Sequence, residues 1–121
     1  RVLFRSPERI ANLRLIQNYH TKTFAKFVER LKNMPDGDGS MLDHSIILFG
    51  SNMANSDAHD ADPLPQMIVG RGNGRVKGGQ HLHYPKDAPH ANILVTILDR
   101  AGVPAADFKG FADSTEPLSE V

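Results

Sequence analysis

The chain contains no cysteine. That excludes disulfides, thiolate metal sites and a cysteine nucleophile, while leaving the redox compartment open. It also lacks an excess of either charge: Lys+Arg and Asp+Glu stand at 14 each, so no overall field favours nucleic acid or an anionic membrane. No apolar run approaches the roughly 20 residues that span a bilayer. Internal repeats and a second domain are missing too. What is present suits one small globular unit rather than a disordered segment: 121 residues, 40% of them hydrophobic. The six histidines carry more information than the net charge, because imidazole is both a common metal ligand and the near-neutral titrating group.

The chain opens without Met and in mid-pattern, so it reads as part of a longer protein. Arg1-Val2-Leu3-Phe4-Arg5-Ser6 resembles the in-frame translation of a sequencing adapter. Residues 1–6 are therefore set aside as an artefact, and residues 7–121 are expected to be the C-terminal segment of a larger single α/β domain.

Ile10, Leu13, Ile16, His20, Phe24, Phe27 and Leu31 recur at three- and four-residue steps, the stripe of a long amphipathic helix. Arg9, Arg14, Lys22, Glu29 and Arg30 lie mostly off it. Pro7 suits the first helical position and Glu8 the positive end of the dipole. The breakers at 33–37 should stop this helix. Ile46-Ile47-Leu48-Phe49 predicts a strand over 45–49, and its four consecutive apolar residues predict a central, parallel strand buried on both faces. Residues 50–65 form a long polar loop, and Pro65 sets up a second strand over 66–69. Glycine turns follow at 70–74 and 77–79, then a short edge strand at 80–84. Asp87-Ala88-Pro89 opens a second helix with Ile93, Leu94, Ile97, Leu98 and Ala101 as its apolar face. Gly102 with Val103-Pro104 stops it. Residues 105–121 read as irregular, and a raw sheet edge is expected where upstream strands belong.

A buried strand that empties into clustered ligand-type residues is how open α/β sheets place active sites, at the carboxyl edge. Asp57, His59, Asp60 and Asp62 supply nitrogen and oxygen donors within six positions. Imidazole with carboxylates suits zinc or another transition metal, while carboxylates alone suit magnesium or calcium. The competing reading is a solvated loop of Asx-turns. The Gly and closing Glu that an EF-hand requires are not at their spacings, which speaks against one. His81 and His83 would face the same way on a strand, either as half a metal site or as an exposed edge pair. His20, on the apolar stripe, reads as a hydrogen-bonded core or interface histidine. His44 and His90 flank elements and carry no signal alone. The 70–74 run lacks the Lys-Ser/Thr of a phosphate loop. Ser51 stands just past the strand end, where a nucleophile could sit, but its flanks lack the second glycine of the hydrolase elbow.

Met41-Leu42-Asp43, the strand Ile46-Ile47-Leu48-Phe49, Gly50-Ser51-Asn52-Met53, Ser56-Asp57-Ala58-His59 and Leu64-Pro65 form one set of motifs. Lys77-Gly78-Gly79-Gln80-His81-Leu82-His83-Tyr84-Pro85, Leu98-Asp99-Arg100-Ala101-Gly102-Val103-Pro104 and Asp113-Ser114-Thr115 complete it. Together they resemble the C-terminal part of the bacterial family called domain of unknown function 1552, over nearly everything after Ser6. More distantly, the layout is similar to the last third of alkaline-phosphatase-like and sulfatase-like hydrolases. There, a metal-binding His precedes a Val-Pro or Leu-Pro pair by the spacing that separates His59 from Pro65.

The resemblance implies a fragment of an alkaline-phosphatase-like three-layer α/β fold: long N-terminal helix, central strand, polar loop, short strands and C-terminal helix. It implies a secreted or periplasmic protein, with a metal-dependent phosphate or sulfate ester hydrolase as the leading activity. The expected metal ligands are His59, Asp57 and Asp62, toward a divalent ion such as zinc, manganese or calcium. Ser51, Asn52 and Lys77 are the expected substrate-binding residues, with Arg71 a further cation that could offset an anionic substrate. The partners expected are a small-molecule or glycan ester and an upstream portion of the same chain that supplies the nucleophile. Neither nucleic acid nor a membrane span is expected. One departure stands out. Ser51-Asn52 occupies the place where the superfamily carries an Asp-His or Asp-Asn ligand pair. The alternative is therefore an exported, non-catalytic protein that keeps the scaffold and binds a glycan or surface partner.

Overall fold

The computed structural model describes residues 6–104, 107 and 110–121. Of the segment set aside as an artefact, 1–5 lie outside the described residues. Ser6 is the N-cap of the first helix, with extended backbone and no side-chain cap bond.

Helix α1 spans Pro7–Lys32, with Pro7 in its first turn, Glu8 near the positive end and Arg30 and Lys32 near the negative one. The Thr21 and Thr23 hydroxyls donate back to the carbonyls of Gln17 and Tyr19. None of its residues is buried. Phe24 ties it to the strand Ile47–Gly50, its ring stacking on Phe49 with centroids 4.0 Å apart and planes 10° apart. His20, expected in a core or interface, is exposed, because nothing among the described residues covers that part of the stripe.

The breakers after α1 do more than end it. β1 (Pro35–Asp36) pairs antiparallel with β2 (Gly39–Ser40), and Gly37, at φ 58°, makes the reversal. The sequence reading had no hairpin here. β3 (Ile47–Gly50) pairs antiparallel with β4 (Gln66–Val69), in register Ile47↔Val69 through Gly50↔Gln66. This corrects the expectation of a parallel central strand. Parallel neighbours need a crossover element between them, and residues 51–65 provide none, so the chain folds straight back. Ile47, Leu48 and Phe49 are half-buried, not buried on both faces. Residues 80–84, expected as an edge strand, run without ladder pairing.

Helix α2 covers Ala91–Arg100, starting after His90 and not at Asp87. It ends as its sequence requires: Gly102 takes φ 93°, Gly102 N donates to Asp99 O and Val103 N donates to Leu98 O. Its deepest face is Ala91, Asn92, Val95 and Thr96. The predicted face is shallower, with Ile93, Leu94, Ile97 and Leu98 half-buried and Ala101 exposed. The inversion has a physical cause. The tail, read as irregular, lies on α2 and needs partners for its backbone, so the polar face carries it. Asn92 Oδ1 accepts from Thr115 N, Thr96 Oγ1 accepts from Leu118 N, and the Arg100 guanidinium donates to Val121 O. From the facing side, Lys77 Nζ donates to Ser119 O, Gln80 Nε2 to Glu120 O and Tyr84 Oη to Glu120 Oε2. Val76 and Val121 complete the small core. At the coarse level the chain is a mixed α/β unit, with two helices and four short antiparallel strands among the described residues. No described helix is long and apolar enough to cross a membrane.

Candidate functional site

The carboxyl end of β3 opens into the polar loop as expected, and the loop is closed by its own hydrogen bonds. Asn55 and Asp60 exchange both backbone bonds at 3.0 Å, pinching residues 55–60 into a lobe. Inside it, Asn55 Oδ1 accepts from the backbone N of Asp57 and Ala58, at 3.1 and 3.3 Å. Asp60 Oδ1 accepts from Asp62 N at 3.0 Å. These are Asx-turns, in which a short polar side chain stands in for a backbone carbonyl.

His59 sits in this lobe at φ 55°, a left-handed conformation uncommon for residues other than glycine. Its side chain is exposed, as are those of Asp57 and Asp60. Asp62 is half-buried, with Oδ2 3.7 Å from Lys86 Nζ. Zinc asks for about four converging donors and calcium for six or more. Among the described residues no three His, Asp or Glu side chains converge to hold a metal.

Ser51 and Asn52 do stand at the strand end. The Ser51 hydroxyl donates to Met53 O at 2.8 Å and accepts from Met53 N at 3.2 Å, so it closes a tight turn. Gln66 Nε2 donates to Ser51 O at 2.8 Å, fastening that turn to β4. Beside these residues lies an open groove of about 460 Å³, lined by Leu48, Gly50, Ser51, Asn52, Leu64, Gln66 and His90. Its lining combines two apolar side chains, Leu48 and Leu64, with the Ser51 hydroxyl, the Asn52 and Gln66 amides and the His90 imidazole. Lys77 is elsewhere, at the tail, and Arg71 lies 3.9 Å from Asp43. His81 and His83 are exposed on unpaired chain.

His90 and Gln66 were not singled out from the sequence. The available signal was position: His90 directly precedes a helix, and in α/β folds helix starts gather near strand carboxyl ends.

A second polar cluster lies at the other end of β3. Ser40 N and Oγ donate to Asp43 Oδ2 at 3.0 and 2.7 Å, while Asp43 N donates to Ser40 Oγ at 3.3 Å. Those hydrogen bonds hold the Asp43 carboxyl below its ordinary range, with smaller help from Arg71 and His44. His44 is moved the other way, chiefly by its hydrogen bond to Asp36, with desolvation opposing. Tyr84 is pushed up by burial first and then by the Glu120 carboxylate. No family model, curated protein or solved structure matches this chain.

Proposed function

We propose that this chain is a segment of an exported protein with alkaline-phosphatase-like, hydrolase-derived topology, and that its ligand site lies at the carboxyl end of β3. The groove there carries the reading: Leu48 and Leu64 give an apolar seat, and Asn52, Gln66 and His90 give polar contacts. The order of strand, polar loop, Pro-led strand, glycine turn and helix stopped before Gly102 is the further support.

In the hydrolytic version, the protein is a metal-dependent phosphate or sulfate ester hydrolase. His59, Asp57 and Asp62 then meet a divalent ion only with donors from outside the described residues, since their own geometry does not close a site. In the second version the protein keeps the scaffold without catalysis and binds a glycan or a surface partner. Two observations favour the second. The Ser51 hydroxyl is spent on its own turn, and the groove lining has no Asp, Glu, Lys or Arg to steady a charged ester.

Metal analysis of the full-length protein, upstream portion included, with p-nitrophenyl phosphate and p-nitrophenyl sulfate as substrates, separates them. Stoichiometric zinc or manganese, lost together with turnover in His59→Ala, establishes the hydrolase. Metal-free protein whose melting temperature ignores chelators overturns the hydrolase and supports the non-catalytic version.

A further inference from the structure

The β1–β2 hairpin presents two acidic side chains, and both meet one imidazole. His44 Nδ1 lies 2.8 Å from Asp36 Oδ2, and Nε2 lies 3.3 Å from Asp38 Oδ1. A neutral imidazole carries one N–H, so one of these contacts would set a ring lone pair against a carboxylate. Only the imidazolium donates on both sides. We propose that His44 is a protonation-dependent latch that clasps the hairpin to the connector 41–46, and that loss of its proton to solvent frees the hairpin tip at Asp38.

The latch stands where α1 is joined to the sheet. Met41 N donates to Met34 O and Leu42 N to Leu31 O, tying the connector to the end of α1. Arg71 N donates to Leu42 O and Gly72 N to Ser45 O, tying the same connector to the glycine turn. The charged groups around His44 are Asp36 and Asp38 from the hairpin, Asp43 beside it, Arg71 and Arg75 from the glycine turn, and Arg100 from α2. Arg75 and Arg100 share with His44 a cavity of about 500 Å³. Arg100 is turned to Asp99 and to Val121 O, and Arg71 to Asp43, so the two carboxylates are the groups in direct contact with the ring. Asp38 is 97% exposed and its arm is the more screened; the Asp36 arm, 47% exposed, is the stronger. The direction of the His44 shift, upward through the Asp36 hydrogen bond, agrees with this arrangement.

The test follows the His44 ring by NMR across about pH 5 to 9 while measuring amide exchange at Gly37, Asp38 and Gly39 in the full chain. Protection, corrected for the intrinsic pH dependence of exchange, is expected to fall roughly two- to fivefold as the ring loses its proton, the range of an exposed ion pair. His44→Gln should show the low protection at every pH. Should that variant fail to fold, Asp36→Asn and Asp38→Asn still decide, by lowering the midpoint of the ring titration and flattening the change in protection. Protection in the wild type that ignores the His44 titration, or a midpoint unmoved in both Asp variants, overturns the latch.

Discussion

Asn92 grips Thr115 twice: its Oδ1 accepts the Thr115 backbone N–H at 2.8 Å, and its Nδ2 donates to Thr115 Oγ1 at 3.0 Å. Asn92 is 6% exposed, so a side chain unable to make both bonds strands buried polar groups of the tail. Asn92→Ala is expected to cost about 1–3 kcal/mol in chemical denaturation. Limited proteolysis should show the accompanying loss: cleavage within 113–121 speeds up while cleavage elsewhere does not. Uniform acceleration along the chain would place the role of Asn92 in global folding, not in holding the tail.

Two nearby glycines separate conformational need from free space. Gly70 takes φ 106°, and a Cβ there would lie 2.2 Å from Ser45 O. Gly74 takes φ 81° with nothing within 4 Å of its Cβ position. Gly70→Ala combines a left-handed penalty with a backbone clash and is expected to cost about 3 kcal/mol or more. Gly74→Ala carries the left-handed penalty alone, about 1–2 kcal/mol. Equal losses in thermal melting would show that the contact of Gly70 with the connector is dispensable.

Asp43 and His44, adjacent in sequence, give the stability opposite pH dependences. The Asp43 pKa is lowered from 3.8, so its contribution is present above that value and is lost as pH falls through the lowered folded value. The His44 pKa is raised from 6.5, so its contribution is complete below that value and is lost as pH rises through the raised folded value. Urea midpoints should therefore fall off at both ends. Asp43→Asn removes the acidic slope, and His44→Gln removes the one above neutrality. An alkaline slope that survives in His44→Gln assigns it to another group.

Local signals in the sequence located both helices and the strands β3 and β4, missed the hairpin of β1 and β2, and placed a strand at 80–84 where none forms. The three- and four-residue recurrence from Ile10 to Leu31 located α1, and Gly102-Val103-Pro104 located the end of α2, because helix periodicity and caps are local chemistry. The apolar run at 46–49 marked a strand, but strand direction depends on what connects it to its neighbour, which hydrophobicity does not encode. The α2 face was misjudged because Asn92, Thr96 and Arg100 look like a solvated stripe until the tail is laid on them. The donors at 57–62 were legible as residue types. How the loop folds is set by Asn55 and Asp60, whose side-chain oxygens cap the lobe in which His59 is exposed.

His59 provides a test in which stability and ligation pull in opposite directions. At φ 55° and exposed, it occupies a position that glycine adopts without strain. As a turn residue alone, His59→Gly leaves stability unchanged or raised, within about 1 kcal/mol, because relief of strain is offset by the entropy of the unfolded chain. His59→Val, β-branched and intolerant of positive φ, is expected to cost about 1–2 kcal/mol. If the imidazole instead binds a divalent ion, both variants lower the melting temperature of protein supplied with zinc, and the difference from wild type disappears in EDTA. The lobe geometry predicts the first pattern: glycine tolerated, valine penalised, and neither response altered by chelator.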